Sequence, residues 1–315
     1  MKRFLLRSGC FILLLAALFG ALELGLRSIP NDYAYKNHYL EEHASSLEVL
    51  SLGSSHSYYG IDPAYFDRPS FNASHVSQSL FYDLGILDKF KDDMTQLKYI
   101  LLPISSFTLS HRIEDGTEAW RVRSYHLYYD LAVPQGITPL YEVTGNDGFT
   151  NFKRVADYLR TGQGVNCDER GFLARPPEDP QDLEATGIRA AKRHNAMNPV
   201  HQTENRHILD ALLQDARSIG ARVILYTPPG HDEYVGRLDP AAVRQMKELA
   251  ETLDRSSQVV IYLNFLEDPR FADSDFYDAD HVNAAGARKL TGLINQAMQE
   301  WDRGQDPVTA AAGGK

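Results

Sequence analysis

Ser54 or Ser55, with Asp278 or Asp280 and His281, are residues of types that could together activate a nucleophile. A serine hydroxyl attacks a carbonyl well only when a histidine takes its proton and a carboxylate orients that histidine. The serine stands at the end of Val49-Leu50-Ser51-Leu52-Gly53-Ser54-Ser55, where an apolar run meets a turn. The acid and base stand in Asp278-Ala279-Asp280-His281, more than two hundred residues later. Gly53 allows close backbone approach. A helix beginning just after Ser55 would direct free N–H groups at a developing oxyanion. Asp278, three residues before His281, can fold back against the imidazole. Asp280, adjacent to it, is expected to point away and cap the following helix. Each string alone has an ordinary reading, a Gly-Ser-Ser turn and a surface histidine at a helix cap. The chemistry depends on a fold that joins them.

The intervening elements predict such a fold. Apolar runs at 47–52, 99–104, 223–227 and 259–263 have strand length, several apolar at almost every position, and Phe71-Asn72-Ala73-Ser74 reads as a short strand with its loop. Between them, 79–91, 204–219, 241–254 and 283–299 carry helical patterns, the second ending at Gly220. Alternating strands and helices with continuously apolar strands indicate an α/β parallel sheet covered by helices on both faces. In such sheets ligands bind beyond the carboxyl ends of the strands. Both the Ser55 turn and the His281 loop can reach that edge. The stretch from about 111 to 203 is rich in aromatics and turn residues and lacks a strong period, so it reads as an irregular insertion bordering the site. Residues 28–46 read as a polar stretch along the surface, and 304–315 as a disordered tail.

The first 27 residues form a separate segment. Lys2, Arg3 and Arg7 precede an apolar run from about Cys10 to Leu22, which continues after Glu23 and closes at Arg27. A basic start and an apolar core make an export signal or an anchor. Leu22 stands where a cleavage site favours a small residue, so an uncleaved single-pass anchor in the cytoplasmic membrane is expected. The positive charges keep the N-terminus inside and the remainder on the extracytoplasmic, periplasmic side. Cys10 and Cys167 provide no intrachain disulfide framework outside the membrane. The net charge of −10 argues against a nucleic-acid binder. No His, Cys and carboxylate spacing suggests a metal, and no glycine-rich phosphate loop is present, so no cofactor is expected.

The paired strings resemble the SGNH (GDSL-like) hydrolase superfamily. Gly53-Ser54-Ser55 is similar to its nucleophile motif, with Ser54 replacing aspartate, and Asp278-Ala279-Asp280-His281-Val282-Asn283-Ala284-Ala285-Gly286 is similar to its Asp-x-x-His block. The resemblance spans about residues 47–297 and implies a three-layer α/β/α, flavodoxin-like fold within 28–303. It makes Ser55, rather than Ser54, the nucleophile, with Asp278 and His281 as its partners. Where the superfamily places an oxyanion glycine, this chain has Ser77 or Gln78. Where it places an asparagine, Ser105 or Ser106 follows the strand. His56 could touch substrate. The anchor together with Gly-Ser-Ser and Asp-x-x-His resembles the membrane-anchored DltD, AlgJ and AlgX branch. That resemblance implies an O-acyltransferase, with acetyl as the expected group, acting on a cell-surface or exported polysaccharide beside a membrane-bound O-acyltransferase. A carbohydrate or lipid esterase, and a non-catalytic glycan-binding or assembly subunit, are the alternatives.

Overall fold

Five short strands make one parallel sheet. The computed structural model describes residues 1–133, 141–176 and 181–305. The strands are β1 (Val49–Ser51), β2 (Ser70–Asn72), β3 (Tyr99–Pro103), β4 (Arg222–Thr227) and β5 (Val260–Asn264), in the order β2-β1-β3-β4-β5. Every pairing is parallel. This is the flavodoxin-like order, whose direction of winding reverses between β1 and β3 and leaves a crevice there. The first helices are α1 (Lys2–Arg27), α2 (Asp32–His43), α3 (Ser55–Gly60), α4 (Leu80–Phe90), α5 (Val122–Tyr129) and α6 (Glu142–Gly145). They are followed by α7 (Gly148–Thr161), α8 (Leu183–Asn195), α9 (Gln202–Ser218), α10 (Asp232–Val235), α11 (Pro240–Ser256) and α12 (Ala284–Asp302).

The strands are apolar at consecutive positions because both faces are covered. Val49, Tyr99, Leu101, Ile224, Tyr226, Ile261 and Leu263 share one face and pack against Leu290, Ile294, Ala297 and Met298 of α12. Residues between them turn to the other face. There Tyr262 bonds Thr227 at 2.7 Å, and its hydroxyl lies 3.7 Å from the sulfur of Met246 on α11. A two-stranded antiparallel hairpin, β6 (Phe276–Asp278) and β7 (His281–Val282), precedes α12, with a register shift between Phe276 and Asp278.

The chain divides into two compact units. One comprises Tyr39–Ile113 and Cys167–Lys315 and holds the sheet. The other comprises Met1–His38 and Glu114–Asn166. In the latter, buried Glu142 is the hub: it accepts from the Tyr128 hydroxyl at 2.8 Å, Arg154 at 2.6 Å and Arg123 at 3.4 Å. Its α1 is long and apolar enough to cross a membrane. The Thr144-Gly145-Asn146-Asp147 string ends α6 and starts α7, where Asp147 caps by accepting the Thr150 N–H at 3.0 Å. Residues 28–46 differ from the expected surface stretch. They contain α2, and Tyr33, Lys36 and Leu40 on it are buried, a face the charged composition hides. The tail expected at 304–315 lies outside the described residues from 306 onward.

Candidate active site

The nucleophile turn is shaped by backbone. The ladder of β1 continues past its last residue: Leu52 N–H bonds Leu101 O at 3.0 Å, and Ala73 and His75 N–H bond Ser51 and Gly53 carbonyls at 2.8 and 3.2 Å. Gly53 then takes φ +110°, a left-handed value that favours glycine, and a Cβ there would lie 2.3 Å from Pro103. The Gly53 N–H donates to the buried Asp83 carboxylate at 2.7 Å. Helix α3 starts at Ser55. Its first internal bonds run from Ser57 and Tyr58 N–H to Ser54 O, so the helix itself does not consume the N–H groups of Ser55 and His56.

The hairpin brings the second string to this turn. Ser55 Oγ lies 2.8 Å from His281 Nε2. His281 Nδ1 lies 2.9 and 3.2 Å from the two oxygens of Asp278. Serine, imidazole and carboxylate thus form one continuous hydrogen-bonded chain at the carboxyl edge of β1, all partly accessible to solvent.

Asp280 does not point away. It is buried, and its Oδ1 lies 3.5 Å from His281 Nδ1. The helix cap expected of it is supplied by Asn283, whose Oδ1 accepts from Ala285 and Gly286 N–H at 2.9 and 3.1 Å. The expectation assumed extended backbone, in which neighbours alternate. Residues 279 and 280 instead form the hairpin turn. Asp280 also bonds Arg193 at 3.1 Å and sits 4.0 Å from the rings of His56 and His194. His56 stacks on His281 with ring centres 4.9 Å apart, and Phe107 stacks on His194 at 3.9 Å.

These contacts set the charges. Burial disfavours a charged His281, but the carboxylates of Asp280 and Asp278 and their hydrogen bonds outweigh it and push its pKa up to about 10. Burial likewise opposes ionisation of Asp280, yet the histidines around it, His281 foremost, hold it well below the usual carboxylate range. Burial and the neighbouring His281 charge press His56 down to about 4, so its ring is neutral near pH 7. Burial pushes Asp83 up to about 7.

The other sequence-predicted residues border the turn. Gln78 is buried; its N–H bonds His75 O at 3.2 Å and its side chain donates to Asp83 at 2.6 Å. Ser77 adopts φ +59° and its carbonyl accepts from His111 at 2.9 Å. The Ser105 N–H is taken by Thr108 Oγ1 at 2.8 Å. Gln78, Ser105, Gly53 and Ser54 line one small cavity. A groove of about 480 Å3 runs outward from Ser105, Phe107 and His194 between α9 and α11. Asp83, Arg193 and His194 escaped sequence reasoning, and Asp280 was read only as a helix cap. Only Asp280 left a signal, its place beside the histidine. His56, Asp280 and His281 also present atoms within 4.8 Å of one another, a set able to hold a cation, but the Arg193 guanidinium on Asp280 competes for that place.

No protein-family model and no curated protein matches the chain. Among solved structures, it is similar to a candidate platelet activating factor from Streptococcus pneumonia, at 12% identity and TM-score 0.43, over 94% of this chain and 98% of that one. It is also similar to a candidate acylhydrolase from Bacteroides fragilis, at 9% identity and TM-score 0.40, over 84% of this chain and 95% of that one.

Proposed function

We propose that this chain is an SGNH-type serine acyltransferase, anchored by α1 and acting on the extracytoplasmic side, that passes an acyl group, acetyl by expectation, to a polysaccharide hydroxyl. The observation that carries the chemistry is the chain from Ser55 through His281 to Asp278. Ser55 Oγ attacks the donor's acyl carbonyl and its proton moves to His281 Nε2. The tetrahedral oxyanion collapses, the donor oxygen leaves with that proton, and an ester on Ser55 remains. An acceptor hydroxyl then gives its proton to Nε2, attacks the ester, and releases Ser55, which is reprotonated. The Ser55 N–H, which the helix does not use, is the backbone donor proposed for the oxyanion. Asp278 holds the imidazole through Nδ1, so Nε2 faces the serine.

The polysaccharide acceptor, and a membrane-bound O-acyltransferase as donor partner, come from the branch the motifs resemble. The mixed polar and apolar groove beside Phe107 offers room for a glycan. The same triad would serve an esterase, with water in place of the sugar. The test is acetate release from an activated ester by the purified chain, with and without polysaccharide. Ser55→Ala is expected to lower turnover about 10^4-fold or more. Turnover that survives Ser55→Ala removes the assignment. Acceleration by polysaccharide, with acetyl appearing on it, supports transfer; full-rate acetate release without it supports the esterase.

A further inference from the structure

Helix α7 turns an apolar stripe outward. Phe149, Phe152 and Leu159 are 75%, 70% and 79% exposed, and Val155 lies between them. At 100° per residue, positions 149, 152, 155, 156 and 159 share one side of the helix; Arg160 and Lys153 flank that side next to Phe149, Asp157 lies further round, and Arg154 turns inward to Glu142. A helix with large exposed apolar side chains on one face and basic residues along the border of that face has the pattern of a helix lying in a membrane surface.

The same unit says where that surface would be. Glu23, in the last two turns of α1, accepts the N–H groups of Glu142 and Val143 at 3.1 and 2.9 Å. Phe19 meets Tyr141 edge to face, with ring centres 5.8 Å apart. Asn151, in the first turn of α7, donates to the carbonyls of Glu142 and Val143 at 3.2 Å each. The start of α7 is therefore tied, through α6, to the end of α1. That end is where its apolar run gives way to the Glu23–Arg27 ion pair, the level at which a spanning helix leaves the acyl chains.

We propose that α7 lies in the outer interface of the bilayer, with Phe149, Phe152 and Leu159 among the acyl chains and Lys153 and Arg160 beside lipid phosphates. Helix α7 is then a second membrane contact, and the two together fix the tilt of this unit against the membrane. The inference rests on reading α1 as membrane-spanning.

The test uses the full chain with Cys10→Ser and Cys167→Ser, one molecule per lipid nanodisc, carrying a nitroxide at Leu14→Cys, Phe152→Cys, Asp157→Cys or Leu159→Cys. Collisions with oxygen report acyl chains and collisions with a water-soluble nickel chelate report water. The expected result is oxygen over nickel at 14, 152 and 159, and nickel over oxygen at 157, an inversion of the ratio by several-fold. Oxygen preference at 14 with nickel preference at 152 and 159 overturns the proposal while leaving the anchor intact. Nickel preference at 14 overturns the anchor and the proposal with it. Shielding of 152 and 159 from both reagents means that protein covers the stripe, and overturns the proposal as well.

Discussion

Neutralising the two aspartates beside His281 should have opposite consequences near pH 7. Asp280 Oδ1 lies 3.5 Å from His281 Nδ1. Two unit charges at that distance interact by roughly 4–5 kcal/mol at an effective dielectric constant of about 20, or about three pKa units. In the intact protein the histidine titrates at about 10. Only the neutral imidazole can take the Ser55 proton, so at pH 7 about one molecule in a thousand is competent. Asp280→Asn removes the larger of the two attractive charges and should bring the acid limb of kcat/KM down by about two to three units. Competent molecules at pH 7 then rise steeply, while the weaker base returns part of that gain. The expected net effect is about a tenfold or greater increase in kcat/KM at pH 7, vanishing near pH 9 and reversed at pH 10. Asp278→Asn removes the orienting bond and should instead lower kcat about 10^4-fold. The assay is kcat/KM for a phenyl acetate ester across the pH range, corrected for spontaneous hydrolysis, with unfolding curves to show that each variant is folded. A wild-type acid limb near the ordinary histidine value, unmoved by Asp280→Asn, would refute the electrostatic account.

Three further outcomes follow from the scaffold. Asp83 titrates at about 7 against an ordinary 3.8, so its contribution to stability is present below about pH 4 and is lost as pH rises through 7. Asp83→Asn keeps an acceptor for Gly53 and Gln78 and should raise Tm at pH 8–9 while leaving it little changed at pH 4 and below, whereas Asp83→Leu strands both donors and should cost roughly 2–4 kcal/mol in a denaturant titration. Gly53→Ala forces a Cβ against Pro103 at a left-handed φ and should destabilise by roughly 2–4 kcal/mol in the same measurement. Asn283→Ala removes the cap of α12 and the donations to Ser274 and Phe276 carbonyls, for roughly 2–4 kcal/mol and a Tm fall of several degrees.

The sheet was legible because its signal is local. Buried parallel strands are apolar at every position, and 99–104 or 223–227 can be read without knowing their neighbours. The observed ends differ from the expected ones by one or two residues, as at Val49–Ser51 within 47–52. That Ser55 should meet Asp278 and His281 was implied by the resemblance of the two strings to known motifs; the strand order only allowed it, by putting both strings at the carboxyl edge. Asp280 was misplaced because its direction depends on a hairpin turn and a register shift, which alternation cannot foresee. Arg193 and His194 carry no local mark at all. They reach Asp280 only because α8 packs against the β6 end of the hairpin, a contact spanning more than eighty residues of chain. The stripe on α7 was hidden inside an aromatic-rich stretch without a strong overall period.

The ladder that runs past β1 has one more consequence. Ser55 is carried by bonds between main-chain atoms, from Leu52 to Leu101 and from His75 to Gly53, and its own side chain supports none of them. The hydroxyl can therefore be exchanged for another reactive group without disturbing what carries it. A thiol at position 55 would stand where the hydroxyl does, and its thioester would persist or decay at a rate set by sulfur chemistry and by His281. The chain is in that sense an interchangeable holder for a reactive atom, and a Ser55→Cys protein given a mixture of acyl donors would retain whichever acyl group the surrounding walls admit, as a covalent adduct that can be weighed.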